Sequence, residues 1–335
     1  MKIFDVGELH PNTPHLFADL VELLLLIGYN GRSRLHSNDI EYLLINKTLS
    51  PDELDEENEA DMQVGVSAAK LARRDLQIED VMLQLSYRVQ AFGDWYPFFV
   101  VNDAIQITET LSHRHRIYRL LLACSRLRSF GRDAGIPQHW AKAFTKISKI
   151  AFQGLAPAAA ISRIFDANSE DRHSYYGTDL RQALRVLGKD LGVIDINQKQ
   201  CDSVSPSGDG GFDLVANLLF DDGATVNFSL LGQCGAQETE WPRKTLEAHS
   251  IQMRHYFQIQ FDYPCVMMTP ICYRNSDGDW TDSAATNGVF LADRGRILSL
   301  LHGVENNLNK IIKEEWFSDF ENKFNEYSFE TNVNV

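Results

Sequence analysis

Cysteine is scarce. The five present (Cys124, Cys201, Cys234, Cys265 and Cys272) form no CxxC pair. That excludes a zinc knuckle or a close disulfide framework and reads as reduced intracellular thiols. Long apolar runs are missing as well. The longest near the start, Leu23 to Ile27, falls far short of the roughly 20 residues a membrane-spanning helix needs. Asp5 and Glu8 stand where a signal peptide carries basic residues. Basic charge is in deficit, 32 Lys+Arg against 46 Asp+Glu for a net −14, which excludes a basic coat for nucleic acid or membrane over the whole surface. No P-loop, HExxH or GxSxG occurs, so energy coupling would have to come from another protein. These absences predict a soluble, cytoplasmic protein with no membrane partner.

The 335 residues, 44% of them hydrophobic, suffice for two domains with separate cores. The charge is segregated. Residues 1–100 carry net −9, residues 101–200 net +6, and residues 201–335 net −11. The basic excess concentrates in 113–149, where Arg114, Arg116, Arg119, Arg126, Arg128, Arg132, Lys142, Lys146 and Lys149 face Asp133 alone. One reading is a phosphate-binding surface. The other is a solvated helix face paired with the acidic run 52–61.

The first half reads as helical. Thr13-Pro14 and Ser50-Pro51 place a hydroxyl before a proline at the first helical position. Apolar residues recur at helical spacing through Leu16, Leu20, Leu23, Leu24 and Ile27, through Met82, Leu85, Val89 and Phe92, through Ile117, Leu120, Leu121 and Cys124, and again from Phe144 to Ala151. After about residue 195 the character changes. A helix is predicted around 179–190, strands at 212–220, 225–233, 264–272 and 288–292, and helices at 242–258 and 294–313. The order gives an α+β protein without the regular alternation of a doubly wound domain. It divides into a helical domain at 1–165, for interaction or nucleic-acid binding, and an α/β domain with a central mixed sheet at 166–335.

Chemistry concentrates in Gly208-Asp209-Gly210-Gly211-Phe212-Asp213, a hairpin turned at Asp221-Asp222-Gly223-Ala224, and Gly232-Gln233-Cys234. A three-residue loop at 222–224 sets Asp213 opposite Gln233, and a two-residue loop sets it opposite Gly232. Alternation favours the first. It gathers Phe212, Leu214, Ala216, Leu218, Phe220, Val226, Phe228 and Leu230 on one face, and Asp213, Asn217, Asn227, Ser229 and Gln233 on the other. A carboxylate beside an amide oxygen at one sheet end can ligate a hard divalent cation.

This pattern resembles the PD-(D/E)XK restriction-endonuclease-like superfamily, in particular its Mrr-like branch, whose motif runs GxGGxD, a hairpin, then a strand ending in QxK. The resemblance covers roughly 175–300, and the segment Asn287 to Ile297 also looks similar to such nucleases. It implies that Asp213 and Gln233 hold Mg²⁺ or Mn²⁺ for phosphodiester hydrolysis. The motif lysine is absent, because its position is Gly235. Lys244, in Trp241-Pro-Arg-Lys244, is the candidate replacement, with an exposed first-turn lysine as the alternative. The resemblance also implies an acid from the preceding helix, for which Asp179 is the candidate, although an aspartate after Thr178 also suits a helix cap. Asp209 reads as a turn former, Cys234 as a core residue, and His113 with His115 as a poor metal pair.

Two functions follow as expectations. The first is a metal-dependent DNA endonuclease in bacterial restriction or anti-phage defence, with RNA as the other substrate, acting with a helicase or ATPase subunit or as a homodimer. Its nucleic-acid contacts would come from Arg114, Arg116, Arg119, Arg126, Arg128, Lys142 and Lys146. The second is a catalytically inactive nuclease-fold module within a multi-subunit complex.

Overall fold

In a computed structural model of the chain, residues 3–7, 13–48, 64–131, 133–208, 210–220, 222–236, 238, 249–286, 288–303, 305–327 and 332–334 are described. In chain order they form β1 (Ile3–Asp5), α1 (Pro14–Leu26), β2 (Arg34–His36), α2 (Ser37–Thr48), α3 (Val64–Phe92), β3 (Phe98–Val100), β4 (Ala104–Ile107), α4 (His113–Ser125) and α5 (Ile136–Gln153). There follow β5 (Ile161–Ile164), α6 (Leu180–Leu191), β6 (Asp195–Ile196), α7 (Gln198–Ser203), β7 (Leu214–Leu218), β8 (Phe228–Cys234), β9 (Phe257–Gln258) and β10 (Cys265–Met268). The last are β11 (Phe290–Ala292), α8 (Arg294–His302), α9 (Glu305–Ile311), α10 (Glu315–Asn325) and β12 (Asn332–Asn334). The mixture is α+β, as the sequence predicts.

The chain forms two compact units. The first comprises 1–140, 271–281 and 307–335, and the second 141–270 and 282–306. The expected boundary at 165/166 therefore moves into α5. Residues 141–165 go with the second unit because β5 is an antiparallel neighbour of β7. Residues 307–335 return to the first unit, where Phe320, Phe324 and Tyr327 pack around Trp140 and Phe130.

The first unit is helical around α1, which is apolar nearly all round and buried from His15 to Leu25, as a central helix must be. It also holds an antiparallel sheet in the order β2-β4-β3 and a parallel β1–β12 pair, which apolar spacing alone did not predict. Two acids of α1, Asp19 and Glu22, are fully buried. Arg88 of α3 bridges them at 2.7 Å each and donates to the His15 carbonyl at 2.6 Å. Tyr96 and Tyr118 donate to Glu22 at 2.7 Å, and Ser125 donates to Asp19 at 2.6 Å.

The second unit is built on a five-stranded mixed sheet, β11-β10-β8-β7-β5. β7 runs antiparallel to β5 and β8, whereas β8, β10 and β11 are parallel. On one face, Val215 and Leu231 pack with the α6 stripe Leu180, Ala183, Leu184, Leu187 and Leu191. On the other, Phe152 of α5 presses so closely on Gly232 that a Cβ there would lie 2.9 Å from its ring. The outer edge of β5 is closed by side chains, with Gln153 bonding Ser162 N–H and Ala160 C=O, and Asp171 accepting from Ile164 N–H. Such capping removes a template for strand addition.

The β7–β8 ladder pairs Leu214 with Gly232 and Leu218 with Phe228, the register that alternation favours, but it is broken one residue before Leu214, where Asp213 also bonds Gly232. The tight three-residue loop does not form, because pairing stops at Leu218. The amides beyond it serve helix α6 instead: Val226 N–H donates to Gly192 C=O at 2.7 Å and Asn227 N–H to Leu191 C=O at 3.1 Å. Carbonyls at a helix C-terminus need such partners. The arrangement holds Val226 at φ +77°, rare for a β-branched residue, and leaves Phe220 56% exposed rather than in the core. Gly192 permits it. At φ +65°, a Cβ there would stand 2.7 Å from Val226 N and 2.9 Å from Asn227 N. Gly192→Ala is expected to cost roughly 1–3 kcal/mol from overpacking and left-handed strain, read as a lower urea midpoint. An unchanged midpoint would show that the loop is not latched.

Three further expectations need correction. The predicted helix over 242–258 is contradicted in its described part, where 250–255 is a 3₁₀ turn and Phe257–Gln258 a strand. The helix over 294–313 is two helices, α8 and α9. Phe212 joins the α6 cluster instead of sharing a face with Leu214. The cause is a step in the ladder: Asp213 N–H donates to Gly232 C=O although Gly232 is the register partner of Leu214. Two residues opposite one is the count of a β-bulge, which re-aims a side chain.

Candidate functional site

Because β5, β8, β10 and β11 run the same way and β7 runs against them, one end of the sheet collects particular residues. Asp166 follows β5, Asp213 precedes β7, Gln233 lies near the end of β8, Thr269 follows β10 and Asp293 follows β11. The carboxyl ends of strands in open α/β sheets are where ligands bind. At this end Asp213 is 8% exposed and Gln233 5%. Asp213 Oδ2 accepts from Cys234 N–H at 2.8 Å, and the Asp213 carbonyl accepts from Phe165 N–H at 2.7 Å. The Gln233 amide oxygen Oε1 is buried with no hydrogen-bond partner among the described residues. An orphaned acceptor of this kind costs about 1–3 kcal/mol, and a cation would relieve it. Among the described residues no group of three or more His, Cys, Asp or Glu forms a metal-ligand cluster. One carboxylate and one orphaned amide oxygen nevertheless fit Mg²⁺, which binds few protein ligands and keeps much of its water.

Cys234 lies against Thr145 and Ser148 of α5. Burial, aided by the negative charge of Asp213, pushes its thiol well above the ordinary range. A thiol in that state is a poor nucleophile, in keeping with a core residue. Gly235, at the motif-lysine position, donates its N–H to Met268 C=O at 2.9 Å. Lys244 and Asp209 lie outside the described residues.

Asp179 serves as the N-cap of α6. Its Oδ1 accepts from Arg181 N–H at 2.9 Å and its Oδ2 from the Arg181 guanidinium at 2.6 Å. Hydrogen bonding to that guanidinium holds the carboxyl down at about 2. This is the cap alternative that the sequence left open. Asp293 likewise caps α8 through Arg296 N–H at 3.1 Å, and His115 completes the cap of α4 with Ser112.

The polar residues Asn217 and Ser229 that the sequence set on one sheet face meet two partners it did not indicate, Asp190 and Tyr175. Tyr175 OH donates to Asp190 Oδ1 at 3.0 Å, Asn217 Nδ2 approaches Asp190 Oδ2 at 3.4 Å, and Ser229 donates to Asn217 Oδ1 at 2.7 Å. Burial raises the Asp190 carboxyl, with these bonds and Arg163 opposing it. Asn217 and Ser229 are therefore buried and bonded within the chain.

The basic stretch proves heterogeneous. Arg114 pairs with Asp94 at 2.8 Å, and Arg116 and Arg119 both hold Glu321 at 2.6 Å. Lys149 pairs with Asp171 at 2.6 Å. Arg126 is fully buried and donates to Val6 C=O at 2.7 Å and Leu16 C=O at 3.3 Å. A buried cation cannot meet a phosphate, so Arg126 leaves the nucleic-acid set. The expected internal partner, 52–61, lies outside the described residues. Arg128, Lys142 and Lys146 are exposed. No helix among the described residues is long and apolar enough to cross a membrane. No protein-family model, curated protein or solved structure matches this chain.

Proposed function

We propose that the second unit is a metal-dependent phosphodiesterase: a DNA endonuclease of restriction or anti-phage defence that acts with a partner subunit. One observation carries the reading. It is that Asp213, before β7, and a buried Gln233 near the end of the neighbouring β8 stand at the same end of the sheet, and that the Gln233 amide oxygen has no hydrogen-bond partner among the described residues. Asp213 and Gln233 would hold Mg²⁺ or Mn²⁺. When bound, the cation would polarise the scissile phosphate and lower the pKa of water. Asp213 keeps its position through the Cys234 N–H, and Gly232 lets Phe152 close the opposite face of the same strand. Exposed Lys142 and Lys146 stand on α5, the helix whose Thr145 and Ser148 meet Cys234. They would take backbone phosphates flanking the site.

The competing reading, an inactive nuclease-fold module, is favoured by Gly235, which offers no cation where the motif has lysine. Supercoiled plasmid with purified protein in Mg²⁺ or Mn²⁺ at low salt separates the two. Cleavage that EDTA abolishes is expected, with single-stranded RNA as a parallel substrate. A chain that neither cleaves nor binds Mn²⁺ calorimetrically would leave the inactive module standing.

A further inference from the structure

In the first unit a groove runs between α2, α3 and β3, with a cavity of about 410 Å³, within the range of ligand pockets. Asp75, Glu79, Met82 and Ser86 supply its α3 wall. Their spacing of four, three and four residues puts them on one helix face, a row about 16 Å long. Ile78, Met82 and Val100 give the groove apolar surface, and Leu83 beside them is 48% exposed. Leu76, seven residues earlier on the same side of α3, is exposed as well.

The rim is acidic. Glu41 of α2, Asp75 and Glu79 of α3, and Asp103 at the β3–β4 turn stand around the groove, and none of its described lining residues is basic. Asp75 and Glu79 are exposed and enter no ion pair among the described residues. We propose that this groove docks a basic, amphipathic segment of a partner protein, its apolar side chains seated on Ile78, Met82 and Leu83 and its lysines or arginines facing the four carboxylates. The proposal goes beyond the phosphodiesterase reading and does not depend on it. Charge decides the occupant. Residues 1–100 carry net −9 and the whole chain −14, so a second copy is repelled on approach. The run 52–61, which joins α2 to α3 in sequence, holds seven acids and no base, so it has the sign of the rim. A cationic segment is drawn to this face, and its apolar side chains gain by covering surface that water now touches.

The probe is a helical peptide of about three turns, leucine on one face and lysine on the other, titrated against the whole chain by fluorescence anisotropy. It is expected to bind, and to bind more weakly as salt screens the rim charges. Asp75→Lys with Glu79→Lys is expected to weaken binding at least about tenfold, and Leu83→Ser about fivefold. These side chains are exposed, so native circular dichroism is expected in both variants. Glu109→Lys with Glu170→Lys makes the same change in net charge at exposed positions outside the groove, and is expected to stay within about twofold of native. A lysine–serine peptide of the same pattern is expected to bind at least about tenfold more weakly than the lysine–leucine one. Absence of binding by the lysine–leucine peptide overturns the proposal. So does an equal loss in the Glu109 and Glu170 variant, which would assign the attraction to overall charge, and so does equal binding of the lysine–serine peptide. A dimer in sedimentation that Asp75→Lys with Glu79→Lys dissociates would make a second copy the occupant and overturn the partner.

Discussion

Arg88→Ala is expected to destabilise the first unit by about 3–5 kcal/mol, the cost of stripping one partner from a buried charge group. Arg88, Asp19 and Glu22 have no exposed surface, so no water would replace the lost guanidinium. Burial alone would lower the pKa of Arg88, but the charges of Glu22 and Asp19 outweigh it and hold the guanidinium firmly protonated. Removal leaves two carboxylates one helical turn apart on α1, bonded by tyrosine and serine hydroxyls but without the guanidinium charge. Since whole domains are stable by about 5–15 kcal/mol, such a loss takes a large share. Urea unfolding followed by tryptophan fluorescence reads it directly, because Trp95 and Trp140 are buried in the same unit. A triple variant, Arg88→Met with Asp19→Asn and Glu22→Gln, is expected to recover much of the stability, since it removes the charges together with their desolvation cost. A single-variant loss under 1 kcal/mol would mean that water reaches the group.

The same group marks where sequence reading stops. A lone arginine on a long helix looks solvated, and nothing local says that Arg88 and Arg126 turn inward. Their burial depends on residues 66 to 120 positions away. The unit boundary is hidden for the same reason. β5 pairs with β7 about fifty residues later, and the chain after 306 rejoins the first unit. Neither contact leaves a periodic trace.

Local features were legible. Alternation gave the β7–β8 register because a one-residue slip would turn every side chain over. The leucine stripe and its Asp179 start gave α6. The hairpin loop was not legible, because Val226 and Asn227 answer to the end of α6 and not to each other. That Asp213 and Gln233 lie at the same end of the sheet could be read from register, whereas the bulge that seats Asp213 against Gly232 could not.

Asp213, a carboxylate with a backbone partner, and Gln233, a buried amide with an orphaned oxygen, are unequal under substitution, and this inequality is the sharpest test of the proposed site. Asp213→Asn retains an oxygen for the Cys234 N–H at nearly the same length, so the fold of the metal-free protein is expected to be unchanged by circular dichroism and thermal melting. It nevertheless removes the carboxylate charge of the proposed cation site. Cation polarisation of a phosphate supplies several kcal/mol, and each 1.36 kcal/mol is tenfold in rate, so cleavage is expected to fall by about a thousandfold. Gln233→Glu does the reverse. It puts a second carboxylate where the orphaned amide oxygen lies, so Mn²⁺ affinity is expected to rise and cleavage to persist. Without metal, that variant buries an added acid, which penalises its ionisation, and its melting temperature is expected to fall as pH rises from 5 to 8. Calorimetric Mn²⁺ titration of the two variants decides the matter. If Asp213→Asn binds and cleaves as the native protein does, the cation is not held there. If Gln233→Glu gains neither affinity for Mn²⁺ nor a pH-dependent melt, the two side chains do not share a site, whatever their register.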